Sequence, residues 1–322
     1  MSELIEVIGS FSTVWLATWF SGTLLLASCY PLVRKSLMNW HPAIASNLML
    51  LLLSFPFLLS LSTSLLLFLP AIEDLLVSAH CHENCQAHLP LVEIPWLTEI
   101  GIGLIALVLV TLTRRLLNNL RTTRNLEAQL EPLAQTSTQD RFKFQLLDNA
   151  TPFVFTLGWW KNEVYLTSGL QAHCSTKDLN IICAHEAAHS ARRDNIRLLI
   201  ANLFLLPLPG KFAKVLLADL HLFIESACDF RAADEYDRLD VAETLVRIQK
   251  VSPGQCPLAG TTIASAFTGA EVALRVQALV NGRQPSMYQR VGFQLSVVLL
   301  VLFSIGLVDP LHHGIETLLS LP

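Results

Sequence analysis

Charge is the scarcest property of this 322-residue sequence: Asp, Glu, Lys and Arg make up 15% of it against 52% hydrophobic residues, with a mean hydropathy of +0.48. Soluble globular domains typically carry charge on about a quarter of the chain, so these values point away from that class. Residues 7–33, 36–72, 100–113 and 291–308 contain no charged side chain. Each run is bilayer material. The third is short, but Glu99 and Arg114 flank it and can snorkel, so 95–117 reaches the roughly 20 residues a spanning helix needs. Four spans are predicted, at about 7–33, 43–69, 95–117 and 291–308. Ionisable residues are almost missing from them, which argues against a transporter.

Basic residues are also missing from most of the chain. All 22 Lys and Arg are accounted for by Arg34, Lys35 and twenty positions between Arg114 and Arg290. Basic loops stay cytosolic, which predicts a multi-pass protein of the inner (plasma) membrane, N-out and C-out. Residues 70–94 form an outer loop, 309–322 an outer tail, and the chemistry belongs to the cytosolic stretch between spans three and four. A cleaved signal peptide needs a basic start, and Glu3 and Glu6 stand there instead. Internal repeats and low-complexity tracts are absent, Pro56 is given no role, and no direct nucleic-acid partner is expected.

Residues 118–140 read as a membrane-surface helix and linker. Leucines recur at helical spacing among Arg115, Arg121 and Arg124, a plain solvated helix being the alternative, and 135–140 is polar and Ser/Thr-rich. The domain at 141–290 then opens with strands at 142–147, 153–156 and 163–167, the last two around a turn at 158–162, giving a small mixed sheet. Ser175 with Asp178 makes a capping box, and Leu179, Ile182 and Cys183 continue the helix into His185-Glu186-Ala187-Ala188-His189.

Two histidines at i and i+4 project from one helix face toward a single ion, with Glu186 beside them as catalytic base. The plainer reading is a pair of satisfied helix histidines with Glu186 paired to Arg192 or Arg193. Glu225, 36 residues beyond His189, is the candidate third metal ligand, with His221 as its alternative. Asp229, one turn later, can accept the free ring N–H of a ligating histidine. Both acids could instead belong to a solvated acidic face. Three protein ligands and an open position form a catalytic rather than a structural zinc site, with one Zn2+ per chain. Tyr236, His221 and Arg247 are unranked candidates for stabilising the transition state.

These residues resemble a family. The stretch 142–280 is similar to the peptidase domain of the BlaR/MecR antirepressor membrane metallopeptidases, which are gluzincins. The likeness is carried by Pro152-Phe153-Val154-Phe155-Thr156-Leu157-Gly158, by His189-Ser190-Ala191-Arg192-Arg193-Asp194 and by Glu225-Ser226-Ala227-Cys228-Asp229, and with the four-span layout it covers nearly the whole chain. It implies an α-helical polytopic membrane protein with a cytosolic α+β gluzincin domain, built from a small mixed sheet, the HExxH helix and an ExxxD helix. It also implies regulatory proteolysis of a cytosolic or membrane-associated protein, with a transcriptional repressor as one substrate. Glu163, Val164, Tyr165, Leu166 and Thr167 would be an edge strand that takes the substrate backbone, a plain core strand being the equal rival. Ser265-Ala266-Phe267 lies in the region where family regulators cut themselves. Sensors of this family carry a penicillin-binding domain after the last span; the sequence ends fourteen residues after Val308, so the expectation is a peptidase lacking that sensor. The related HtpX and CAAX-protease type shares H-E-x-x-H and a downstream E-x-x-x-D, which keeps membrane-protein quality control open. A non-catalytic signalling protein with a structural zinc site is the third reading.

Three features stand apart. Cys81 and Cys85, with His80, His82 and His88, could form a disulfide, a metal-sensing site or two idle thiols. Cys174, Cys183, Cys228 and Cys256 would be cytosolic and reduced, and Cys29 lies in the bilayer. The apolar segment 198–208 is too short to span, so it is a core helix or a stretch dipping into the bilayer.

Overall fold

The computed structural model describes residues 2–69, 76, 91–92, 94–206, 208, 210–251, 269–282 and 284–319. Most of the outer loop with Cys81 and Cys85, Cys256 and the segment Ser265-Ala266-Phe267 lie outside the described residues. Among those described, four helical stretches are long and apolar enough to cross a membrane: Leu4–Leu37, Pro42–Leu67, Pro95–Leu133 and Met287–Ile315. They coincide with the four charge-poor runs. Helix α1 (Ser2–Leu37) packs on α2 (Pro42–Leu67) and on α3 (Pro95–Leu130). Both α2 and α3 open on proline at the first helical turn, where its missing N–H has no intrahelical partner to lose. The α1–α3 contact is close because Gly101 has no Cβ, which would lie 2.5 Å from Thr13 Oγ1.

Two expectations change here. Helix α3 is unbroken for 36 residues, about 54 Å at 1.5 Å per residue, against a bilayer core of about 30 Å. The helix read from residue 118 onward is thus a continuation of the third span and not a separate element. Its far end runs on to the sheet, where Leu126 and Leu130 pack against Leu147, Phe155, Leu157 and Tyr165. The polar stretch read as a linker is instead strand β1 (Ala134–Gln139), an exposed edge strand whose Ser, Thr and Gln side chains suit its wet position. Asp140, at φ 53°, sits in the left-handed turn that joins it to β2 (Phe142–Leu147).

Strands β3 (Val154–Leu157) and β4 (Glu163–Thr167) complete a four-stranded mixed sheet of order β1-β2-β4-β3, with β2 and β4 parallel and the other pairs antiparallel. The β3–β4 turn requires Gly158: its φ is +112°, and a Cβ there would lie 2.3 Å from the Lys161 carbonyl oxygen. The expected edge strand Glu163–Thr167 is interior to the sheet, paired with β3 along Glu163–Leu166 and with β2 along Tyr165–Thr167, so from Tyr165 onward its backbone has no free side for a substrate. The reason is topological: β3 folds back to the outside of β4, and strand propensity cannot show which of two neighbours ends at the edge.

Beyond the sheet come α4 (Ser168–His173), α5 (Thr176–Arg192), α6 (Asp194–Phe204), α7 (Gly210–Ala232), α8 (Arg238–Val251), α9 (Gly269–Val280), α10 (Met287–Gly306) and α11 (Val308–Leu319). The last shows that the expected tail is largely helical. One face of the sheet meets α3; the other, through Phe144 and Leu166 together with Leu170 of α4, meets Leu179, Ile182 and Cys183 of α5. In the segment from residue 198, Leu198, Ala201 and Leu205 are buried in one cluster with Tyr30 and Leu37 of α1, Met49 and Leu53 of α2, and Leu216 and Leu220 of α7. Two spans are thereby packed directly on the helices that build the site.

Helix α5 starts on the expected capping box: Ser175 accepts from the Asp178 N–H and Asp178 Oδ2 accepts from the Ser175 N–H at 3.0 Å. Asp178 also takes hydrogen bonds from Thr244 and Arg247. Burial opposes its charge, but the Ser175, Thr244 and Arg247 contacts outweigh burial and lower its pKa. A carboxylate held below its unfolded value contributes stability above about pH 3.9, and that contribution is lost as pH falls through the folded value. Asp178→Asn should therefore cost about 1–2 kcal/mol at pH 7, with the difference closing in acid. Thermal unfolding of both proteins across pH reads this out.

Candidate metal centre

Helix α5 delivers His185 and His189 one turn apart on one face, with ring centroids 4.9 Å apart. Helix α7 brings Glu225 across to them. His185 Nε2 and His189 Nε2 are 3.1 Å apart, Glu225 Oε2 is 3.3 Å from the first and Glu225 Oε1 3.4 Å from the second. The three residues form a group that could hold a metal ion.

The tautomers give this convergence its meaning. His185 Nδ1 lies 3.0 Å from Asp229 Oδ1, and His189 Nδ1 lies 3.0 Å from Asp194 Oδ2, so each ring donates its Nδ1–H to a carboxylate. Both Nε2 lone pairs then face each other and a carboxylate that is 6% exposed. Three such donor atoms converging on one point make a metal-ligand set, and Glu225 Oε2 also faces Arg275 Nη1 at 3.2 Å. The donor set therefore fits a metal ion.

Charge around the centre is balanced by a residue the sequence reading passed over. Arg275, on α9 and 2% exposed, forms a fork with Asp229 at 2.7 Å on each arm and lies 3.2 Å from Glu225 Oε2. Burial alone would raise Glu225, but His189 and Arg275 hold its carboxyl well below the usual range; Asp229 is lowered too, Arg275 and His185 outweighing its burial. Burial lowers both imidazoles and their neighbours outweigh it, Asp229 and Glu225 for His185 and Cys228, Glu225 and Asp194 for His189, leaving both raised. The signal for Arg275 was a single basic residue in a largely apolar helix whose other charge is Glu271.

Two more residues join the site unannounced. Thr156 Oγ1, on β3, donates to Glu186 Oε2 at 2.6 Å and fixes the carboxylate of the expected base. Asp194 is 1% exposed and placed by the α5–α6 corner, where Arg193 adopts φ 54° and ends one helix as the next begins. Five residues after His189, it was visible in sequence only as part of a motif. The Cys228 thiol, 3.4 Å from Asp194 Oδ2, is pushed up to about 11 by burial, so it is a neutral donor rather than a nucleophile.

The three candidate stabilisers separate. Arg247 is taken by Asp178 and Glu243 at the start of α5. Tyr236 packs beside Phe142, Phe230 and Val241. His221, one turn before Glu225, is lowered by burial and feels Glu225, His189 and Asp194, so it alone of the three borders the centre. It stands outside the group His185, His189 and Glu225.

Residues 117–227 match the family model for peptidase family M48, a stretch holding the sheet, α5, α6 and Glu225 but ending before Asp229 and Arg275. None of the curated proteins compared with the chain matches it. The M48 match, set beside four helices long and apolar enough to cross a membrane among the described residues, describes a membrane protein with a metallopeptidase domain.

Proposed function

We propose that the chain is an integral membrane zinc metalloendopeptidase that makes regulatory cuts in a cytosolic or membrane-associated protein. The carrying observation is the convergence of two Nε2 atoms and a carboxylate beside a base already held by Thr156. Separations of 3.1 to 3.4 Å between the donor atoms suit the edges of a tetrahedron with bonds of about 2.0–2.1 Å, the zinc value for nitrogen and oxygen donors. Zinc, when bound with one open position, supplies a Lewis acid that acidifies water and polarises a carbonyl. Asp229 and Asp194 hold the ligand imidazoles in one tautomer. Glu186 takes the proton of the attacking water and hands it to the leaving amine. Basic residues confined to residues 34–35 and 114–290 support a cytosolic domain.

With β4 interior, the substrate strand is reassigned to the outer edge of β3, next to Glu186. The Asn195 amide occupies the Thr156 and Gly158 carbonyls at 3.3 and 2.9 Å, so the Val154 end is the part left to a peptide. Val154 also borders a cavity of about 70 Å3 that reaches His185 and Glu186 and is walled by Ile182, Val241, Leu245, Ile248 and Val272. An apolar substrate side chain beside the scissile bond fits that lining.

The purified chain is expected to carry one zinc, and a chelator should stop peptide cleavage until zinc is returned. Cut sites in a peptide library should be enriched in apolar residues on one side of the bond. His189→Ala should lose both metal and activity; hydrolysis that survives in a zinc-free protein would sink the reading. The BlaR/MecR-like role, with a repressor as substrate, rests on the motifs at 152–158 and 225–229. Comparing proteomes of cells with wild type and Glu186→Gln separates it from quality control: one or a few stabilised proteins mean regulation, many unrelated membrane proteins the other.

A further inference from the structure

Each helix that carries metal ligands is tied by charged groups to a different membrane span. Asp194, which orients His189, lies 3.3 Å from Arg192 Nε and 3.4 Å from Arg197 Nε. Both guanidiniums then converge on one hydroxyl of α2: Arg192 Nη2 donates to Ser46 Oγ at 2.8 Å and Arg197 Nη2 at 3.3 Å. Ser46 is fully buried, and its own O–H is spent on the Ala43 carbonyl at 3.0 Å. One donor and two acceptor lone pairs exhaust a hydroxyl, so Ser46 is saturated by this arrangement. On the other side, Asp219 of α7, six positions before Glu225, receives Arg34 Nε at 2.6 Å, Arg34 Nη2 at 2.9 Å and Tyr30 Oη at 2.5 Å, all from α1.

We propose that Ser46, through Arg192, Arg197 and Asp194, is a positioning residue for His189, and that span α2 thereby sets the metal affinity of the centre. The inference rests on the zinc-site reading above. Without the Ser46 hydroxyl the two guanidiniums lose their common anchor, the Asp194 carboxylate is free to turn, and the His189 Nδ1–H loses the acceptor that fixes its ring and raises its basicity. Displacement of α2 relative to α5 and α6 has the same effect, which gives the spans a physical route to the peptidase centre. The Arg34–Asp219 tie from α1 holds the Glu225 helix in the matching position.

The test is the zinc dissociation constant of the full-length chain in detergent, measured by competition with a chromophoric chelator. Ser46→Ala should weaken zinc about tenfold, the lower end of what the loss of an outer partner of a metal ligand costs. Ser46→Thr, which keeps the hydroxyl, should restore wild-type affinity. Arg197→Gln, which removes a charge from Asp194, should weaken binding in the same direction. Ser60→Ala on the same helix, equally buried but bonded only to the Phe57 carbonyl, should leave it unchanged. Wild-type affinity in both Ser46→Ala and Arg197→Gln overturns the proposal while leaving the zinc site standing. A wild-type chain that takes no zinc defeats the zinc site and the relay together.

Discussion

Glu186→Gln should bind zinc as the wild-type chain does and hydrolyse peptides at least about 100-fold more slowly, the lower end of what a positioned general base contributes. The amide keeps the size of the carboxylate and can still accept from Thr156 Oγ1, which holds Glu186 Oε2 at 2.6 Å. Packing and metal ligation are thus spared, because Glu186 is not in the group His185, His189 and Glu225. Only the ability to accept a proton from water goes. Zinc content and initial rates on a peptide found with the wild-type enzyme give the two readings. Equal rates would remove Glu186 from the chemistry, and loss of zinc would mean that the residue supports the metal instead. Thr156→Val should show a smaller loss of the same kind, since it frees the carboxylate without deleting it.

Arg275→Leu should be the most damaging single substitution for stability. Asp229 has no exposed surface and Glu225 is 6% exposed, and Arg275 is the cation placed against both. Removing one partner of a buried pair leaves an uncompensated charge at a cost of about 3–5 kcal/mol, a large part of a typical domain's stability. Zinc would offset part of that cost at Glu225, so the variant should depend on metal for folding more strongly than the wild type. Arg275→Lys should fall between, because an ammonium keeps the charge but not the two-armed fork. Thermal unfolding with and without zinc decides: a midpoint within a degree of wild type in both conditions would show that the acids are neutralised by other means.

How much of this was legible in sequence depended on how local each signal was. The spans were read from runs of uncharged residues because hydropathy is a property of neighbours along the chain. The capping box of Ser175 and Asp178, the helix it starts and the shared face of His185 and His189 follow from helical spacing alone. Glu225 was found through its motif, and the structure brings it to within 3.4 Å of the imidazoles.

Residues that act across the fold were not legible in that way. Thr156, Asp194, Arg275 and Ser46 are ordinary in their own segments and matter only through partners 30, 5, 46 and 146 positions away. The polar edge strand Ala134–Gln139 resembles a linker because an edge in water needs no apolar face. The reversal of β3 and β4 at the sheet margin depends on which strand folds back outward, a choice that pairing decides and composition does not. By itself the sequence determined four apolar runs of membrane-spanning length and a zinc-type motif on a capped helix, with Glu225 a candidate third ligand by pattern, because these depend on hydropathy and on the 3.6-residue period. Tertiary structure decided which arginine lies against Glu225 and Asp229, which strand is left at the sheet edge beside Glu186 and which helices pack on the site, because each depends on distances between segments far apart in the chain.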